Sequence, residues 1–339
     1  MRTRCILIII LAMGTAGFGR QPILLTGLGR PVAIDVDQTQ LYVTENARVI
    51  VYSLHDFSRV HAFGTPGQGP GEFHTLPHVH ITLDCSTDEL IIGSIRKISY
   101  FSKSGQFIRE VKAGNIALRL ILLDQRPEGD RFLGWSQRAQ DGVNYNTIVA
   151  FDHRLNRIKQ LYREKDPFQG PGNGYDMLPK TFDFRSMGGK IFIPGQAAAS
   201  IDVLNGELAR IRTIRIQQEP IKVTDAFKRR MTEFIKTSPE TKNAYPMIKP
   251  LRYPKYFPTI QGFTVDRERL YVMTWKREKG ANEFHIFDLA GRFKSKRMIP
   301  VAYESDNQAY PWILKRGKLY QLIENPAQQE WELRITPLD

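Results

Sequence analysis

Few residues in this chain have both the type and the spacing that chemistry requires. His74, His78 and His80 form the densest group among the seven histidines. On an extended strand His78 and His80 project to the same side and could share a zinc ion, but a catalytic site also needs a third protein ligand and an open position for water. The glycine-rich stretch at residues 67–71 resembles a phosphate loop only superficially. It runs into Glu72 and Phe73, without the Gly-Lys-Ser/Thr that would open a helix toward a phosphate. Residues 35–46 begin like a calcium loop, yet Gln40 stands where glycine is needed and Asn46 where glutamate is needed, so a hairpin is expected. Neither G-x-S-x-G nor H-E-x-x-H occurs, which leaves a hydrolase without a motif. The two cysteines, Cys5 and Cys85, form no C-x-x-C pair and no disulfide framework.

The residues that position any site belong to a globular chain. Its 339 residues are 42% hydrophobic and 24% charged, a balance unlike that of disordered or collagen-like sequences. A net charge of +13 favours anionic partners. Residues 1–19 read as an export signal: Arg2 and Arg4, an apolar run at 5–13, then small residues at 14–17. The apolar run is about half the ~20 residues that cross a bilayer, which leaves a retained membrane anchor as the alternative, and cleavage after it would leave a chain of charge +11 whose one cysteine is Cys85. The mature protein is therefore expected in the periplasm or outside the cell, with no membrane span.

A repeat organises the remainder. A short apolar strand ending in a small polar residue recurs at residues 49–53, 98–102, 148–152, 201–205 and 284–288. The terminal residues Ser53, Ser102, Asp152, Asn205 and Asp288 are separated by 49, 50, 53 and 83 positions. The last interval is lengthened by an insertion at 219–258. Gln-Gly-Pro-Gly also recurs, at 68–71 and 169–172, two periods apart. Within each period, alternation and turn signals mark four strands, and such units bury both faces only by stacking in a ring. The predicted fold is an all-β, six-bladed propeller of four-stranded blades over residues 20–339. Its last period offers three strands, and residues 22–26 are expected to supply the fourth. Val79, Ile81, Leu83 and Cys85 alternate on one inner strand, which makes Cys85 a small buried hydrophobe.

The segments at 31–37 and 41–52, followed by Phe63-Gly64 and Gly67-Gln68-Gly69-Pro70-Gly71-Glu72-Phe73, resemble an NHL repeat. More broadly, the chain is similar to the secreted bacterial six-bladed propellers of the TolB-like group. That resemblance covers nearly the whole mature chain and is strongest at 29–115 and 260–293. It implies a fold that serves binding proteins and enzymes alike. Among similar propellers, lactonases hold a channel calcium with acidic and amide side chains from several blades, and lyases hold a channel zinc with histidines. Here the inner strands are expected to start near Pro31, His78, Leu118, Lys180, Thr259 and Tyr310, which offer neither set. No metal or other cofactor and no catalytic residue is therefore assigned. A metal-dependent lactonase- or lyase-like enzyme is the alternative.

The insertion is the most individual segment. Thr224 can cap a helix with Phe227, Met231, Phe234 and Ile235 on one face and Lys228, Arg229, Arg230 and Lys236 opposite, ended by Ser238-Pro239. The insertion carries nine basic and four acidic residues. Its apolar face is expected to pack on the propeller, leaving the basic face solvated or forming a wall beside the channel. In similar propellers the inter-blade connections share the ligand face with the loops between second and third strands. That assigns Arg30, Arg96, Arg119, Lys180, Lys255, Tyr256 and Tyr310 to a basic ligand-binding face. The expected function is non-catalytic binding of an anionic small molecule, a glycan or a protein partner by a monomer. Export argues against nucleic acid as the partner.

Overall fold

The computed structural model describes residues 22–76, 79–114, 117–239 and 241–338. The expected signal segment and His78 lie outside these residues. Six four-stranded antiparallel sheets follow one another around an axis, which is the six-bladed propeller that the repeat predicts. The innermost strands are Ala33–Val36, Thr82–Asp84, Leu118–Asp124, Arg185–Met187, Gly262–Asp266 and Trp312–Lys315. Blades 1 to 5 each continue outward through three hairpin-linked strands, as in Gln40–Glu45, Arg48–Ser53 and Arg59–Phe63 of blade 1.

The recurring small polar residue has a local cause. It ends the third strand and folds its side chain back onto the hairpin backbone. Asp152 Oδ1 accepts from the amides of Arg154 and Asn156, Asn205 Oδ1 from Glu207 and Ala209, and Asp288 Oδ1 from Ala290 and Arg292. Ser102 Oγ accepts from Gln106 in the same way. A side chain too long or apolar could not close this turn, so the period is visible as composition.

The core consists of apolar layers between neighbouring sheets. Tyr42, Val49, Val51 and Phe73 pack against Ile81, Cys85, Leu90, Ile92 and Phe101 in the layer between blades 1 and 2. Cys85 is buried as expected, and burial pushes its thiol above the ordinary range. The ring closes with Ile23–Leu25, whose residues pair antiparallel with Leu333, Glu332 and Trp331. Trp331 also donates its indole N–H to Gly29 O at 3.2 Å.

The insertion forms helix α1 (Asp225–Thr237), capped by Thr224 Oγ1, which accepts from Phe227 N at 3.2 Å. Phe227, Met231 and Ile235 are buried with Met177, Leu178 and Val223. After the short helix α2 (Tyr245–Ile248), Leu251–Arg252 pairs in parallel with Tyr175–Asp176 of the connection between blades 3 and 4. Gly174 makes this approach feasible: at φ +73°, a Cβ there would lie 2.5 Å from Pro250 O. On its other side, Arg230 Nε of α1 meets Asp306 Oδ2 at 2.7 Å, in the connection between blades 5 and 6. The insertion is thus a strap across three neighbouring connections rather than a free flap.

Candidate functional site

The seven residues expected on a ligand face lie in inter-blade connections, at strand starts or in a loop between second and third strands, and most of their cations are engaged by neighbouring groups. Arg30 pairs with Glu304 at 2.6 Å and lines a cavity of about 300 Å³ between blades 6 and 1, together with His80, Ala309, Pro311 and Trp331. Tyr310 sits at the same place with its ring edge on Trp331, 6.0 Å between centroids. Arg96 is exposed and donates to Gly114 O at 2.8 Å. Lys180 donates to the carbonyls of Gly195, Gln196 and Ala197 at 3.2 to 3.5 Å. It lines a mainly apolar cavity of about 220 Å³ with Phe257, Thr259 and Ile260, where the strap rejoins blade 5. Lys255 and Tyr256 are both exposed, with the ammonium 5.3 Å from the ring centroid. On α1, Lys228 pairs with Asp225 at 3.0 Å and Arg230 with Asp306. The seven residues therefore fall into separate groups.

Arg119 belongs to the most developed of these groups. Between the pairs Leu118 with Trp135 and Ile121 with Leu133, the inner strand of blade 3 carries one residue more than its partner. Arg119 sits in this bulge at φ +49°, a conformation that an L residue rarely adopts without support from its surroundings. The bulge aims its side chain across the blade boundary, where NH2 donates to Asp183 Oδ1 at 2.5 Å. Arg185 NH1 donates to the same oxygen at 2.5 Å, and Phe184 N donates to it at 2.8 Å. The Arg119 guanidinium also lies 5.2 Å from the Phe184 ring centroid.

Two guanidiniums on one carboxylate leave one positive charge in excess. The Arg185 side chain is 31% exposed. Burial pulls its pKa below the ordinary arginine value; Asp183 opposes this and the like charge of Arg119 adds to it. A second small anion would relieve both the desolvation and the repulsion, and the planar donor edges of two arginines suit carboxylate or phosphate oxygens.

Asp183 and Arg185 are absent from the sequence-derived set because the inner strand of blade 4 starts at Arg185, not near Lys180. Residues 179–184 approach the axis without strand pairing, held in part by Thr181 Oγ1, which donates to Ile260 O at 2.7 Å. Likewise the inner strand of blade 2 starts at Thr82, not near His78. None of the six expected strand starts is acidic, but Asp183 stands two residues before the observed start of the blade 4 inner strand and Glu304 beside Arg30. Only the pairing register could have revealed the first. Among the described residues, no group of three or more His, Cys, Asp or Glu side chains is placed to hold a metal ion. Asp37 closes its hairpin by accepting from Thr39 N and Gln40 N, both at 2.9 Å, as the hairpin reading of this stretch requires.

The sequence matches no family model and no curated protein. The six-bladed propeller is shown by the structure, whereas the resemblance to NHL and TolB-like propellers is not confirmed by these comparisons. Among solved structures, the chain is similar to a protein described as exported from Bacteroides fragilis, with 13% identity, 93% of this chain and 94% of that one covered, and a TM-score of 0.54. It is also similar to a member of the DUF4221 family from Bacteroides vulgatus, with 12% identity, 91% and 93% coverage, and a TM-score of 0.46. At such identities the first likeness shows the propeller fold alone.

Proposed function

We propose that this chain is an exported, non-catalytic binding propeller whose ligand presents a carboxylate or phosphate to Arg119 and Arg185 at the axis, on the face of the inter-blade connections. The N-terminal sequence pattern supports export, as does the description of the Bacteroides fragilis protein. Among the described residues, no helix is long and apolar enough to cross a membrane. The observation that carries the reading is the convergence of two arginines on one oxygen of Asp183, with one charge left over. Arg30, Arg96, Lys255, Tyr256 and Tyr310, from inter-blade connections and a loop between second and third strands, would contact the rest of a larger ligand. Lys180 is consumed by backbone carbonyls and is assigned to holding its loop.

The test is binding of inorganic phosphate and of acetate, followed by calorimetry and by the shift in unfolding temperature. Arg185→Met or Arg119→Met should weaken phosphate at least about tenfold, the loss expected for one desolvated charge-assisted contact. Lys180→Met should leave phosphate affinity within about twofold, since that ammonium is already satisfied. Equal affinity in the wild type and in both arginine variants would reject the site.

A further inference from the structure

A different cavity, of about 760 Å³, lies outside the axial site, between the connection leaving blade 4 and the hairpin joining the second and third strands of blade 5. Gln218, Trp275, Lys276, Arg277, Glu283 and Lys296 line it. Its volume falls within the range usual for small-ligand sites. Trp275 is held rigid from behind: its ring stacks on Phe257 with centroids 4.6 Å apart and planes 26° apart, and Phe257 in turn meets Phe227 of α1 edge-on. The strap thus buttresses the aromatic wall of this cavity.

Two observations define what would fit. First, the fixed charges cancel: Lys276, Arg277 and Lys296 are matched in number by Glu219, Glu283 and the neighbouring Glu278. Lys276 pairs with Glu283 at 3.3 Å and with Glu278 at 3.4 Å, and Lys296 lies 3.9 Å from Glu283. Arg277 donates to Asp306 O at 2.9 Å and stacks 3.5 Å from the Tyr303 centroid. Unlike the axial cluster, this site carries no net charge. Second, its wall is short of hydrogen-bond partners. Among the described residues, eight buried side-chain nitrogens or oxygens lack a partner, and Gln218 Oε1, Trp275 Nε1 and Arg277 Nε are three of them. Such atoms are costly when left alone, and a cluster of two donors and an acceptor behind one wall calls for a ligand bearing both. All three atoms are buried, so a ligand would reach them only if Gln218 or Arg277 rotated.

We propose that this cavity binds a neutral sugar ring. The apolar C–H face of the ring would pack on the part of Trp275 that lines the cavity, beside the Arg277 guanidinium 5.7 Å from the indole centroid, and its hydroxyls would bridge the Lys276–Glu283 pair and satisfy the orphaned groups. The site is independent of the axial anion site, and its test separates the two. Saturation-transfer NMR and tryptophan fluorescence of the full chain would be recorded with glucose, galactose and mannose, and with glucuronate and inorganic phosphate as charged probes. At least one neutral hexose should show transfer and a fluorescence change. Trp275→Leu and Glu283→Gln should each weaken this at least about tenfold, whereas Arg185→Met should leave it unchanged. If Trp275→Leu fails to fold, Trp275→Phe and the exposed Lys276→Gln serve in its place and should weaken binding severalfold. The assignment is overturned if no neutral hexose binds, if glucuronate binds more tightly than glucose, or if none of these variants alters binding.

Discussion

At the scale of single residues, the aspartates at the ends of inner strands show how side chains lock blades together. Asp35 accepts from Cys85 N of blade 2 at 3.3 Å and from Lys315 Nζ of blade 6 at 2.5 Å. Asp266 accepts from the amides of Arg316 and Gly317, both at 2.7 Å, and so ties blade 5 to blade 6. Asp124 works through arginines: Arg131 Nε donates to it at 2.8 Å, and Arg131 and Arg126 both reach Gly206 O of blade 4, at 2.7 and 2.9 Å. Burial alone would raise the Asp124 pKa, but the hydrogen bond and charge of Arg131, aided by Arg126, hold it below the ordinary 3.8. A carboxylate whose pKa is lowered on folding stabilises the fold above its unfolded pKa and loses that contribution as pH falls through the folded value. Asp124→Asn should therefore destabilise the protein near neutral pH, and the difference from wild type should shrink below pH 3.8. Urea unfolding at a series of pH values would measure it, and a difference independent of pH would remove the charge from the explanation. None of these clasps was legible in the sequence, where Asp35 reads as the start of a hairpin. Their partners lie a blade or more away, and only the ring brings them together.

At the scale of elements, the helix of the insertion was legible almost to the residue, because a Thr cap, an apolar face at helical spacing and a Ser-Pro stop act locally. Its destination was not legible. Nothing in residues 251–252 announces parallel pairing with 175–176, and the basic face offered as a channel wall instead spends Arg230 on Asp306 and Lys228 on Asp225. The same limit explains the misplaced start of the inner strand in blade 4, where an unpaired extended segment has the composition of a strand. If α1 is a strap, its packing should hold the connections without being needed for the blades. Met231 is 2% exposed, so Met231→Ala should cost about 2 to 4 kcal/mol of local stability through lost packing and a residual cavity. Thr224→Ala should cost about 1 kcal/mol through the lost cap. Limited proteolysis should then cut within the insertion much faster than in wild type while the strand signal in circular dichroism persists. Cleavage first within the blades would show that the strap is integral to the ring.

At the scale of the molecule, the proposed binding depends on a closed ring, because the Arg119–Asp183–Arg185 cluster is assembled from blades 3 and 4 and can be rigid only if every inter-blade boundary is held. Closure rests on three residues of the N-terminal strand, Ile23–Leu25, laid along Glu330–Pro337. Leu25 is 1% exposed and belongs to the same apolar cluster as Tyr52, Leu322 and Trp331, and Tyr52 OH donates to Thr26 O at 2.7 Å. The strand therefore joins blade 6 to blade 1 through both backbone pairing and side-chain packing. A chain beginning at residue 27 would lose that pairing and expose the 330–337 strand as an unprotected sheet edge, which invites pairing with another molecule. Such a chain should unfold at a lower urea concentration and with a shallower transition. It should also self-associate in sedimentation and lose phosphate affinity, although Arg119, Asp183 and Arg185 are untouched. Adding a peptide of residues 22–27 should restore the monomer and the affinity together. If the truncated chain remained monomeric with its wild-type transition and affinity, the strand would be an ornament on blade 6, and the axial site would need no closed ring to hold its two arginines on one carboxylate.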